Sequence, residues 1–211
     1  DPSELFLKHG PDAVVESIWG AKTWSPAGII MGEAVWEKLK ERQNVESVPY
    51  PDCLQGLNEK LKGIRYGEIT LFTSGTGSGK STVIKEIILD LLAKTSDKVG
   101  LISLEESVGD TAEKFISMQL KRNIMDPPPT SESELRSGYE AVFGDERLVL
   151  LDHQGSVGDA SLIDKIEYMA LMGCKYLVLD HITIAVSEGS EGLSGNEAID
   201  KVMSDLLKVV K

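Results

Sequence analysis

Along the second half of the chain, runs of four to seven mostly apolar residues alternate with longer stretches whose apolar positions recur every three or four residues. The short runs, 68–73, 99–104, 148–151 and 176–179, predict strands. The longer stretches, 80–94, 110–122, 132–143 and 160–172, predict helices, and a closing helix starts near Asn196 with Ile199, Val202, Leu206 and Val209 on its core face. Strands and helices in regular alternation build a mostly parallel sheet covered on both faces. No internal repeat is visible.

The first fifty residues are patterned differently. A short helix is expected over 11–19, opened by Pro11 in its first turn. A break follows at Ser25-Pro26-Ala27-Gly28. Met31, Val35 and Leu39 then recur every fourth residue within MGEAVWEKLKERQ, a narrow apolar stripe on a charged helix. Such a stripe suits docking onto a neighbouring surface, or packing on its own domain. Residues 44–51 are polar and contain proline. This divides the chain into 1–24, the tail of a preceding domain, 25–50, a linker with its helix, and 51–211, the α/β domain. Because the chain opens on Asp1 and closes on Lys211 inside a predicted helix, we read it as a piece of something longer, truncated at its C-terminus.

Composition adds constraints. The 211 residues carry a net charge of −12, which argues against a broad basic surface for duplex DNA. The two cysteines, Cys53 and Cys174, lie far apart and suggest neither a disulfide framework nor a zinc site. No apolar run approaches the roughly 18 residues of a membrane helix, so no membrane partner and a cytoplasmic location are expected.

The chemistry begins in LFTSGTGSGKST. An apolar run, a glycine-rich turn and a helix start give the context in which GxxxxGK[ST] marks a phosphate-binding loop, with Ser74 where the first glycine is usual. Gly75, Gly77 and Gly79 let the backbone curl, so that N–H groups of the segment Ser74, Gly75, Thr76, Gly77, Ser78 and Gly79 turn inward on anionic oxygens. The positive end of the following helix adds to the attraction. Lys80 is placed to reach the terminal phosphates, Ser81 to ligate Mg²⁺, and Thr82 to serve the helix and the α-phosphate. The bland reading is a flexible Gly/Ser linker, but linkers do not usually sit between a buried strand and an amphipathic helix.

A metal held by Ser81 and phosphates needs an acidic partner, and KYLVLDH supplies Asp180 at the end of an apolar run. VGLISLEES ends on Glu105 and Glu106. One of them is expected to orient the attacking water, since the carboxyl ends of parallel strands open onto one crevice; the plain alternative is a solvated acidic pair. His153 with Gln154, and His181, follow predicted strands, where a lone histidine is more often structural than catalytic.

With GEITLFTSGTGSGKST, KVGLISLEESVGDTAE and CKYLVLDHITIAVS on the page, the chain resembles the helicase half of phage-type bifunctional primase–helicases. That family is kin to the mitochondrial Twinkle helicase and, more distantly, to the bacterial DnaB helicases. The resemblance implies a RecA-like P-loop NTPase core preceded by a helical linker segment. It assigns Glu105, rather than Glu106, to the attacking water and Asp180 to Mg²⁺, and it accepts serine at position 74. It implies ATP or dTTP as the nucleotide, a ring of identical subunits, normally a hexamer, with the 31–43 helix packed on the next subunit, and single-stranded DNA and replication proteins such as a polymerase as partners. The setting it implies is the cytoplasm of a bacterial or phage-infected cell, with a mitochondrial homologue as the lesser alternative. The opening DPSELFLKHG is similar to the end of a primase TOPRIM domain, and SEGSEGLSGN at 187–196, without Lys or Arg, lies where the family has a central-channel loop.

Two other functions fit the same residues. One is a recombinase-like or clock-type RecA ATPase; the other is a nucleotide-binding assembly module with little turnover. The resemblance places the arginine finger and the DNA-facing loops beyond this sequence, so the 211 residues alone are expected to bind ATP, hydrolyse it slowly and not unwind DNA.

Overall fold

A computed structural model of the chain describes residues 2–20, 28–152, 161–182 and 195–210. The chain divides into two compact units, Asp1–Asn44 and Val45–Lys211.

The first unit is helical. Helix α1, Pro2–Trp19, is interrupted at Gly10, whose φ of 83° and ψ of 178° leave the helical region. The sequence predicts only the part from Pro11; the preceding residues are helical as well. Lys8 and Glu4, one turn apart, pair at 2.7 Å. Glycine at a positive φ then stops the turn and proline restarts it. Helix α2, Glu33–Gln43, carries its own ion pairs, Lys38 with Glu41 and Lys40 with Glu37. Met31 lies before its first turn. Val35, Trp36 and Leu39 are each about half exposed on it, and neither helix buries a residue.

The second unit opens with a small antiparallel ribbon, β1 (Ser47–Val48) against β2 (Ile64–Arg65), with α3 (Gln55–Leu61) between them. Asn58 of α3 fixes the turn. Its side-chain oxygen accepts the Tyr50 N–H at 2.7 Å, and its amide donates to the Tyr50 carbonyl at 3.0 Å. Tyr50 is thereby held in the core, 1 % exposed.

The main sheet has three parallel strands in the order β4-β3-β5: β3 is Lys98–Ser103, β4 Leu148–Leu151 and β5 Cys174–Asp180. Helices α4 (Lys80–Lys94), α5 (Val108–Gln119), α6 (Glu132–Phe143), α7 (Leu162–Leu171) and α8 (Gly195–Val210) accompany it. Because side chains alternate across a strand, each strand feeds two cores. On one face Val99, Leu101, Leu148 and Tyr176 meet Ile87, Ile88 and Leu91 of α4, Phe115 of α5 and Val142 of α6. On the other, Ile102, Val149, Leu151, Leu177 and Leu179 meet Ile166 and Met169 of α7 and Leu206 and Val209 of α8. Gly100 is the point of closest approach: a Cβ there would lie 2.7 Å from Leu177 Cδ2 and 3.0 Å from Met169 Sδ.

Two expectations fail here. Residues 68–73 form no ladder. A central parallel strand needs a partner at its edge and cover on both faces. Among the described residues β5 has no strand on its outer side, and Leu71 is 62 % exposed. The segment is held from one side instead, Phe72 meeting the Tyr50 ring edge-on at 6.4 Å and Thr70 lying 3.5 Å from the Tyr50 hydroxyl. On α8, Ile199 is exposed and Ala198 takes the buried position, so the core face is rotated by one residue at its start. Val202, Leu206 and Val209 are partly buried as expected.

Candidate functional site

The glycine-rich segment runs from 74 to 79 and delivers the chain into α4. Gly77 and Gly79 have φ of 75° and 87°, left-handed values that L side chains adopt at a cost of roughly 1 kcal/mol or more. A Cβ on either, or on Gly75, would meet nothing within 4 Å, so the loop is not packed against protein at these positions. Ser78 ties the loop: its hydroxyl lies 2.7 Å from Ser74 Oγ and 2.8 Å from the Gly75 carbonyl. Serine in place of the usual first glycine therefore has a use in this loop.

The helix start below it differs from its neighbours. Helices α5, α6 and α7 are each capped by a serine, Ser107, Ser131 and Ser161, whose hydroxyl accepts a first-turn N–H, and each has an acidic residue in that turn. Helix α4 has Gly79 at its cap, no side-chain cap hydrogen bond and no acid in its first turn. The N–H groups of Lys80, Ser81 and Thr82 are left without a side-chain acceptor, at the positive end of a four-turn helix. An anion with several oxygens satisfies such a start, and the Lys80 ammonium would add a full charge.

Two carboxylates stand at the ends of adjacent strands. Ser103 pairs with Asp180 in the ladder, and the Leu104 N–H donates to the Asp180 carbonyl at 2.8 Å, so β3 and β5 end level. Asp180 is 6 % exposed, and its carboxylate receives no hydrogen bond among the described residues. A nearly buried carboxylate left without a donor suits a hard cation. No group of three or more His, Cys, Asp or Glu able to hold a metal occurs among the described residues.

Glu105 and Glu106 have separate surroundings. Glu106 is fixed: Oε2 lies 3.1 Å from Nζ of Lys85, Oε1 lies 2.7 Å from Nζ of Lys114, and the Thr111 hydroxyl approaches at 3.4 Å. Burial pushes the Glu106 carboxyl up, but the bonds from Lys114 and Lys85 outweigh it and hold the group below its ordinary value. Glu105 is about half exposed and, among the described residues, meets one partner, His181, with Nε2 2.7 Å from Oε1.

The buried pair of Lys85 and Glu106 was not anticipated from the sequence, although a signal exists. Lys85 stands three residues before Ile88 and seven before Leu92, on the apolar face of α4, where a cation needs a buried counter-ion. His153, Gln154 and the 187–194 stretch lie outside the described residues.

No protein-family profile matches the chain. A DNA helicase/primase of Enterobacteria phage T3 is 32 % identical to it over 98 % of this chain. The chain spans 38 % of that relative's length. By a likeness that covers nearly all of its own residues, the chain belongs to the phage primase–helicase family.

Proposed function

We propose that this chain is the nucleotide-hydrolysing motor of a replicative DNA helicase, a RecA-like core that binds Mg·NTP at Ser74–Thr82 and uses its hydrolysis to move on single-stranded DNA. The observation that carries the reading is the uncapped start of α4 beneath an open glycine loop, on a helix whose Lys85 reaches Glu106 just past β3, where β3 ends level with Asp180 of β5. In the reaction, the loop amides and Lys80 hold the triphosphate and neutralise charge as the terminal phosphoryl group transfers. Glu105 orients the attacking water and accepts its proton. The Ser81 hydroxyl and the Asp180 carboxylate would hold Mg²⁺, which would supply further charge neutralisation on the phosphates when bound. The bonds of Glu106 to two lysines favour Glu105 for this role, because a carboxylate shared by two lysines is a weakened base. ATP and dTTP both fit this phosphate chemistry, which makes no contact to the base.

The family relation supports a ring of identical subunits as the working form. The α2 apolar positions that stay exposed in the first unit, Val35 and Leu39, are the surface we assign to that contact.

The test uses the intact protein. Lys80→Ala is expected to abolish binding of a fluorescent nucleotide. Glu105→Gln is expected to keep that binding and lose hydrolysis by at least about a hundredfold. Should Glu106→Gln have the larger effect on turnover with binding intact, Glu105 would be the wrong carboxylate.

A further inference from the structure

We infer that His181 is the positioning residue for Glu105, holding the water-orienting carboxylate in the one direction from which it can act; this rests on the role given to Glu105 above. The backbone sets up the contact. Because Leu104 N–H donates to the Asp180 carbonyl and Ser103 faces Asp180 in the ladder, the two strands release their chains at the same level. The side chains that follow, Glu105 on one strand and His181 on the other, are brought together at 2.7 Å, Nε2 to Oε1.

Glu105 needs such a partner. Its side chain is 54 % exposed, and His181 is its only polar contact among the described residues. An exposed glutamate has three rotatable bonds and loses rotamer freedom when held in one geometry. A base must lie within hydrogen-bond reach of the proton it takes, and a displacement of about 1 Å can cost two orders of magnitude in rate. A donor on Oε1 fixes the carboxylate plane and leaves Oε2 open to water.

The histidine is itself anchored. It is bonded in sequence to Asp180, which is buried in the sheet, and its side chain is 29 % exposed, with Nδ1 buried and making no hydrogen bond among the described residues. The imidazole therefore spends its single polar contact on Glu105. Glu106, next in sequence, is turned away and locked by Lys85, Lys114 and Thr111. The two glutamates are thus held by separate partners, one by an ion-pair cluster and one by an imidazole.

The experiment compares His181→Ala, His181→Gln and Glu105→Gln in the intact protein, reading kcat, KM and the affinity for a fluorescent nucleotide. His181→Ala is expected to lower kcat about ten- to a hundredfold, with KM and nucleotide affinity within about twofold of the parent. His181→Gln, whose side-chain amide can present an N–H close to where Nε2 stood, is expected to recover most of the loss. Adding His181→Ala to Glu105→Gln should cost nothing further, because the two act as a unit. Full turnover in His181→Ala, an equal loss of nucleotide affinity, or no recovery with glutamine would each overturn the inference while leaving Glu105 in place. Parent-level hydrolysis by Glu105→Gln would instead remove the functional reading on which it stands.

Discussion

Glu106 shows how much of the site's rigidity depends on single ionisable groups. The ammonium of Lys85 is nearly dry, its side chain 4 % exposed, and Glu106 is the counter-ion at 3.1 Å. Replacing Glu106 by Gln leaves that cation buried without a charge partner, and we expect a loss of the order of 3 kcal/mol at neutral pH. Its acid response has a definite sign. The folded-state value lies below the ordinary one, so the contribution is fully present above the unfolded value, near 4.5, and is lost as pH falls through the folded value. Stability in denaturant melts of the parent should therefore fall as pH drops below the unfolded value, near 4.5, and the Glu106→Gln protein should lack that part of the decline. An unchanged acid limb in the variant would mean that other carboxylates carry it. Lys114, about half exposed, adds less, because water screens its attraction.

At the scale of elements, helix starts separate structure from function. Ser161 caps α7 by accepting the Asp164 N–H at 3.2 Å, while Asp164 Oδ2 accepts the Ser161 N–H at 2.9 Å, each satisfying a first-turn donor. Ser161→Ala is expected to lower stability by about 1 kcal/mol, seen as a shifted denaturation midpoint, with nucleotide affinity unchanged. A fall in nucleotide affinity matching the loss of stability would show that α7 and the loop above α4 are coupled. These starts carry a local signal, a serine with an acid three residues on, that the expected ranges 110–122, 132–143 and 160–172 did not use. The glycine loop was legible, since positive φ at Gly77 and Gly79 is a demand made within six residues. What could not be read depends on distant partners. Whether 68–73 joins a ladder is decided by what lies at the edge of β5, and the pairing of Lys85 with Glu106 joins residues twenty-one apart. Ile199 was misplaced because a periodic pattern fixes a face only to within about one residue.

For the whole molecule, the proposed ring has to form although each copy of this chain carries a net charge of −12. Like charges oppose association, and the opposition weakens as salt shortens the screening length to about 10 Å at 0.1 M. Helix α2 is exempt from the acidic bias. Its three acids, Glu33, Glu37 and Glu41, balance Lys38, Lys40 and Arg42, and four of these groups already pair within the helix. What it offers a neighbour is apolar area, Val35, Trp36 and Leu39, each about half exposed. An assembly held by that area against a repulsive background should strengthen as salt rises from about 0.05 to 0.3 M, whereas one held by ion pairs across the contact would weaken. Sedimentation of the intact protein with nucleotide, repeated across that range, distinguishes the two. The double substitution Val35→Glu and Leu39→Glu should then leave single subunits at every salt concentration, with nucleotide affinity retained, because it replaces the apolar stripe with charge and leaves Lys80, Ser81 and Asp180 untouched. Rings that persist in this variant would place the subunit contact elsewhere.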